Sequence, residues 1–445
     1  MTELAIDTGA DLTPAADSAP VKRKHVVAAV AGNALEFYDF VTYTFFAVQI
    51  GQAFFPGHSD FARLMLSLLT FGVGFLTRPI GAIVIGRYGD RAGRRPAMML
   101  SFGLMGAAIL GLALTPGYAV IGPAAPILVV SWRLIQGFAL GGEVGPTTAY
   151  LIEAAPPGRR GLYGSLQIAS QGFSSLIGGL TGVAITATLG EAALNAWGWR
   201  IAFLIGALML PYGFYLRQAL PETRHRPEPA TQAQPPRPDL ASHWRIIAVG
   251  LALVANGTIA TYVFNNMTTY AATTLKLPPG VSLAASIVVG CTLLVFGVLA
   301  GLASDRFGRK ALILWPRVAL MVLIVPAFWL IVRNHDAATL LTVTGVMSTL
   351  SVISGAVSMT AIVESLRKEV RSLVFATVYS TSVAIFGGTT QPMITWLIHA
   401  TGSPLAPAWY LMGACVVGVT ATLFLVESAP AAETAKRGTP SVGLG

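Results

Sequence analysis

A chain of 445 residues that is 54% hydrophobic and only 11% charged lies far from the roughly 25% charged content of soluble globular proteins, which excludes a water-soluble enzyme. Lys and Arg outnumber Asp and Glu by 29 to 20, a net charge of +9, but no basic stripe interleaved with aromatics occurs, which excludes nucleic acid as the partner. With 47 glycines and 27 prolines spread through long apolar runs, and a mean hydropathy of +0.66, the chain reads as a stack of membrane spans of ~20 residues each.

Residues 1–25 form a polar tail without the basic start and short apolar core of a cleavable signal peptide. Apolar runs then place spans near 26–50, 62–86, 96–115, 124–149, 162–190, 199–217, 246–274, 281–303, 311–332, 338–363, 372–398 and 406–426. Residues 218–245, with Pro221, Pro227, Pro229, Pro235, Pro236 and Pro238, are too polar and proline-rich for a span and read as a linker. The expected organisation is a tail (1–25), a six-helix half (26–217), the linker, a second six-helix half (246–426) and a tail (427–445). With the N-terminus inside, the opposite loops hold only Arg63, Arg200, Lys276 and Arg333, and the other loop cations fall on the cytoplasmic side. Both termini are therefore expected in the cytoplasm.

The first span carries Glu36 and Asp39, three apart on one helix face and ~15–20 Å deep at ~1.5 Å per residue. Charges at that depth are costly and usually paired or facing a cavity. A carboxylate whose protonation depends on which side of the membrane it sees is the minimum device for proton coupling. In the second span Arg78, before Pro79, is open to an anion-binding role or a structural one near the cytoplasmic face. The fourth span has Arg133 and Glu143 in the run Ser131-Trp-Arg-Leu-Ile-Gln-Gly-Phe-Ala-Leu-Gly-Gly-Glu143. Arg133 is the candidate for an anionic substrate, because a guanidinium matches a carboxylate with paired hydrogen bonds. An internal salt-bridge network among Glu36, Asp39, Arg133 and Glu143 is the alternative, and both roles can hold together. Gln167 and Gln171 in the fifth span, Tyr262 and Asn265 in the seventh and Tyr379 in the eleventh are candidate neutral substrate contacts, with polar bonding between helices as the alternative.

A decapeptide occurs twice, as Gly86-Arg-Tyr-Gly-Asp-Arg-Ala-Gly-Arg-Arg95 after the second span and Gly301-Leu-Ala-Ser-Asp-Arg-Phe-Gly-Arg-Lys310 after the eighth. The repeat indicates two related halves around a central site. Cys291 and Cys415, each within an apolar stretch, support neither a disulfide framework nor a metal cluster and read as core residues. There is no Walker loop, no metal-ligand spacing among the six histidines and no nucleophile–base constellation. No cofactor, metal or catalytic residue is therefore expected.

The pattern G-x-x-x-D-R-x-G-R-[RK] at both loops resembles the signature of the major facilitator superfamily. The resemblance implies an all-α membrane protein of twelve transmembrane helices in two six-helix halves. It also implies that Gly86, Asp90, Arg91, Gly93 and Arg94, with Asp305, Arg306, Gly308 and Arg309, control alternating access without touching substrate. The fourth-span run resembles the superfamily's R-x-x-Q-G motif, associated with energy coupling. Its G-G-E extension, and Gly32-Asn-Ala-Leu-Glu-Phe-Tyr-Asp-Phe40, resemble the metabolite:proton symporter family. Ala53-Phe-Phe-Pro56, Thr77-Arg-Pro-Ile-Gly-Ala82, Trp197-Gly-Trp-Arg200 and Ala384-Ile-Phe-Gly-Gly-Thr389 are similar to stretches of the citrate and tricarballylate proton symporters. The fifth span lacks the glycine-proline pattern of proton-antiporting drug exporters, which favours uptake.

The expectation is an inner-membrane symporter, functional as a monomer, that moves protons with a small carboxylate, foremost citrate or a related tricarboxylate. The nearest alternatives are a dicarboxylate, an aromatic acid or a zwitterionic osmolyte. A non-transporting membrane sensor is the alternative from another class.

Overall fold

The structure is a computed structural model that describes residues 23–57, 59–92, 94–141, 151–152, 155–156, 158–218, 244–366, 371–425 and 427. Gly93, Glu143, nearly all of the expected linker and most of both tails lie outside the described residues.

Among the described residues all the regular structure is helical, as it must be where no water is present to satisfy backbone groups. The helices group into twelve spans. Span one is Arg23–Phe45 continued by Ala47–Phe54, and span two is Asp60–Leu76 continued by Arg78–Ala92. Spans three to six are Arg94–Leu114, Ala124–Leu140, Arg160–Ala193 and Trp199–Gln218. Span seven is Trp244–Asn265 with Met267–Thr273, followed by span eight (Pro279–Phe307), span nine (Arg309–Asn334) and span ten (Ala337–Ser365). Span eleven is Arg371–Ser382 and Gly388–Thr401, joined through a π-turn at Val383–Gly387, and span twelve is Ala406–Leu423.

By length and hydropathy alone, eight helices among the described residues could cross a membrane. The difference from twelve has local causes. Span one is depressed by its own carboxylates, Glu36 and Asp39. Span four is described only as far as Leu140 within its helix, and span eleven is interrupted by its π-turn. Spans five and six run together as one apolar stretch, Arg160–Leu208. The chain bends between them at Gly190, whose φ of +79° is open to glycine and strained for other residues.

Span ends are fixed by specific contacts. Ser59 caps span two through Ala62 N at 3.2 Å. Asp336 caps span ten through Thr339 N at 2.8 Å, and the hydrogen bonds from Thr339 hold its carboxyl below the usual carboxylate range. Gly308, at φ +94°, turns the chain from span eight into span nine. The first amides of span nine, Arg309 N and Lys310 N, donate to Glu427 at 2.8 and 2.9 Å. Glu427 thereby ties the chain beyond span twelve to the start of span nine.

Position in the bundle follows composition. The most apolar stretch of span nine is only 28% buried and turns Trp315, Val322, Leu323 and Trp329 outward, whereas that of span ten is 61% buried. Span nine thus faces lipid and span ten the interior. Cys415 is buried as expected, but Cys291 is exposed on the bundle's outer surface. An apolar environment suits it in either place, because here the solvent is also apolar.

The first six spans meet the last six along two lines of small residues, which allow backbones to approach closely. Spans five and eight pack side by side. A Cβ on Gly172 would lie 2.5 Å from Leu294 N, and one on Gly290 would lie 2.9 Å from the Gly172 carbonyl oxygen. Spans two and eleven cross at Gly72 and Gly388, where a Cβ on Gly388 would sit 2.9 Å from the Gly72 carbonyl oxygen.

Candidate functional site

Two pins set the rotation of span one about its axis. Asn33 Nδ2 donates to Ser170 Oγ at 2.6 Å and to the Gln167 carbonyl at 3.4 Å, and Ser174 Oγ donates to the Ala34 carbonyl at 2.5 Å. Spans one and five are thereby locked together, and the opposite face of span one turns Asp39 toward span four. There Asp39 Oδ2 lies 3.4 Å from Arg133 Nη1, with both side chains about 1% exposed.

Arg133 Nη1 also donates to Gln136 Oε1. The Arg133 guanidinium carbon is 3.9 Å from the Tyr43 ring centre and 5.0 and 5.2 Å from those of Phe40 and Phe71. The pair is therefore desolvated inside an aromatic sleeve. Losing either partner would leave an uncompensated charge at a cost of about 3–5 kcal/mol. It is not saturated, however, because Asp39 Oδ1 and Arg133 Nε and Nη2 have no hydrogen-bond partner among the described residues. Asp39 retains an oxygen on which a proton can sit. Glu36, also buried, is near enough for its charge to act on Arg78.

Beside this pair, at the centre of the bundle, is an empty space of about 830 Å³, including the part open to solvent. Its walls come from both halves. The first half contributes Phe37, Arg78, Gly164, Gln167 and Gln171, and the second contributes Thr258, Tyr262, Ser351, Gly355, Met359 and Tyr379, among others. A smaller space of about 330 Å³ continues from Gln171, Thr261 and Tyr262 to Thr44, Ser175 and Asn265. Asn265 Oδ1 is buried without a partner. Five residues expected to contact substrate, Gln167, Gln171, Tyr262, Asn265 and Tyr379, are brought together in these two spaces. The sixth, Arg133, lines neither, and Phe40, which walls the smaller space, lies against its guanidinium.

Arg78 takes that place in the larger space. It is buried, with its guanidinium carbon 4.6 Å from the Phe40 ring centre and 4.2 Å from that of Phe75. A depth count from the start of the second span would have revealed this. Arg78 lies well past the middle of the 62–86 run but a full two turns before its end.

The second decapeptide builds a seam at one end of the bundle, here termed the motif end. Asp305 on span eight accepts from Gly161 N at 2.9 Å and Leu162 N at 3.1 Å, capping span five of the other half. Arg309, fully buried, pairs with Asp305 at 2.8 Å and with both oxygens of Glu364 at 3.1 Å. It also donates to Ser304 Oγ at 2.5 Å. Arg306 is exposed, and Gly308 supplies the turn. In the first decapeptide Gly86 and Arg91 are exposed on span two, and Asp90 and Arg94 lie on the helices flanking Gly93. Glu364 and Glu427 were not singled out in the sequence. Each stands near the end of its span, where an acidic group is ordinary.

Replacing Asp305 by alanine is expected to loosen the motif-end seam by about 1.5–3 kcal/mol, the worth of a hydrogen bond to a charged group. The check is labelling of a cysteine placed at Ser351, in the cavity wall, with Cys291 replaced by serine. Labelling from the motif end should rise about tenfold or more. An unchanged rate would mean that the seam does not gate the cavity.

At the other end Phe61 of span two stacks on His399 of span eleven, with ring centres 3.8 Å apart. With the Gly72–Gly388 crossing, this stack forms the far seam.

The chain matches the Major Facilitator Superfamily over residues 31–388. It is 38% identical over 408 residues to a citrate-proton symporter of Salmonella typhi, covering 90% of this chain and 93% of that protein. A citrate-proton symporter of Klebsiella pneumoniae is 36% identical, with 92% and 94% covered. A glycine betaine/proline/ectoine/pipecolic acid transporter of Dickeya dadantii is 33% identical, with 92% and 84% covered. Among solved structures, that of a D-xylose-proton symporter superposes with a TM-score of 0.73 at 21% identity, covering 92% of this chain and 98% of that one.

Proposed function

Because the chain belongs to the major facilitator superfamily, we propose that it is a proton-coupled symporter importing a small carboxylate, foremost citrate or a related tricarboxylate, by alternating access. It is a multi-pass inner-membrane transporter and not an enzyme. The observation that carries the reading is the buried Asp39–Arg133 pair beside a cavity walled by both halves. The basic loops assign the motif end to the cytoplasm and the far end to the outside.

In this reading a proton taken from outside occupies Asp39 and weakens its hold on Arg133. The substrate sits among Gln167, Gln171, Tyr262 and Tyr379, with Asn265 on the path from outside. Desolvation makes the unpaired charge unfavourable, so the carrier reorients when proton and substrate are both bound or both absent. Asp305 and Arg309 open on the cytoplasmic side, and the halves rock about the central site. Glu36 and Glu143 are further coupling candidates.

Likeness to the osmolyte transporter favours a second reading, a zwitterion bearing a single carboxylate. Uptake of labelled citrate by purified protein in liposomes, with and without an inward proton gradient, separates the two. Unlabelled tricarballylate, 2-oxoglutarate, proline and benzoate serve as competitors. Gradient-dependent uptake blocked by tricarballylate is the expected result. Absence of citrate uptake in tight vesicles containing folded protein would remove the tricarboxylate reading.

A further inference from the structure

Three arginines lie deep in the spans, and their surroundings differ. Arg133 is committed to Asp39 and Gln136. Arg317 is committed to the Gly418 carbonyl at 3.1 Å, Thr422 Oγ1 at 2.9 Å and Ser358 Oγ at 3.2 Å, which staple spans nine, ten and twelve. Arg78 has neither kind of commitment. Among the described residues it forms no ion pair, its Nε has no hydrogen-bond partner, and its close neighbours are the faces of Phe40 and Phe75. It also borders the central cavity.

A guanidinium flanked by two rings is held in orientation but not satisfied. Cation–π contacts act on its faces and leave the in-plane N–H donors unused. Those donors form the fork that a carboxylate fits with two parallel hydrogen bonds. Glu36 is the one carboxylate whose charge acts on it from the first half, and with no ion pair formed at its own fork among the described residues a buried cation in a cavity wall gains from an anion that enters the cavity.

We propose that Arg78 is the residue that grips a carboxylate of the transported substrate, while Arg133 stays behind Phe40 and never meets it. The proposal rests on the transport reading above and deepens it. Tyr262 and Tyr379 border the same space on the opposite half, close enough to interact electrostatically with Arg78. A carboxylate held by Arg78 can therefore reach hydroxyls across the interface and draw the halves together. Because both guanidinium carbons lie within 5.0 Å of the Phe40 ring centre, the proton-bearing pair and the substrate act on each other through a single ring.

The test is calorimetric binding of citrate, 2-oxoglutarate and glycine betaine to the full-length chain in lipid nanodiscs, comparing the native protein with Arg78→Gln and Arg78→Lys. Melting of the ligand-free samples reports folding. Native binding of citrate, weakened about tenfold or more by Arg78→Gln and partly recovered by Arg78→Lys, is the expected result. Citrate affinity unchanged in Arg78→Gln would overturn the role of Arg78 and leave the transport reading standing. Native binding of 2-oxoglutarate or glycine betaine in place of citrate, lost in Arg78→Gln, would support Arg78 and remove the tricarboxylate reading. Failure of the folded native protein to bind any of the three would overturn both. Should Arg78→Gln not fold, the lysine variant decides: it loses the paired geometry, and undiminished affinity there would overturn the proposal.

Discussion

Asp39→Asn is expected to abolish accumulation of substrate against its gradient while leaving exchange of labelled for unlabelled substrate within a few-fold of native. Asparagine is nearly the same size as aspartate and can still accept from Arg133 Nη1, so the local packing survives. What it cannot do is alternate between charged and neutral forms. Because Asp39 and Arg133 are both about 1% exposed, the variant also leaves a buried guanidinium without its counter-charge, at a cost of about 3–5 kcal/mol. The contact with Tyr43 at 3.9 Å offsets only about 2 kcal/mol of that.

A fall in melting temperature should accompany the loss of coupling, and the double variant Asp39→Asn/Arg133→Gln should recover stability without recovering coupling. That separation is the informative part, since a purely structural ion pair would have both properties return together. Parallel assays of uphill uptake, counterflow and melting on the three proteins decide it. Uphill uptake retained in Asp39→Asn would end the coupling role.

Gly72→Leu is expected to hold the carrier open to the outside. The position where its Cβ would be built is already occupied by the Gly388 carbonyl oxygen, with the Gly388 carbonyl carbon at 3.2 Å. These are backbone atoms that no rotamer change can move. The far seam can then close only by displacing a span, and overpacking of this kind costs about 1–3 kcal/mol. That corresponds to roughly 5–150-fold less of the closed form, and turnover should fall with it. A cysteine introduced at Asn265 should label faster from outside in this background. Native turnover in Gly72→Leu would show that the crossing is not a gate.

Much of the architecture could be read from composition, because the bilayer imposes a single length scale on every apolar run. The repeated Asp-Arg-x-Gly-Arg pattern marked the motif end, where Asp305 and Arg309 do meet the other half. The in-span charges at 36, 39 and 133 also stood out, since each is expensive where it lies. Which charge faces which was not legible. Spans such as eight and ten are apolar nearly all round, so no polar face marks their rotation, and the pins that set span one are ordinary residues, Asn33, Ser170 and Ser174. Without that rotation, the sequence could not show that Arg78 borders the central space and Arg133 does not. The glycine crossings were likewise visible only as abundant glycine, because a close approach involves two residues distant in sequence.

The two seams are made of different materials. The far one joins aromatic and glycine surfaces, Phe61 on His399 and Gly72 on Gly388, and the motif-end one joins a carboxylate to amides and a guanidinium. Wetting apolar surface raises heat capacity and wetting polar surface lowers it, so the two opening reactions are expected to curve oppositely with temperature. Cooling weakens apolar association and does little to the ionic contact. The carrier's resting orientation is therefore expected to have a thermal coefficient of its own.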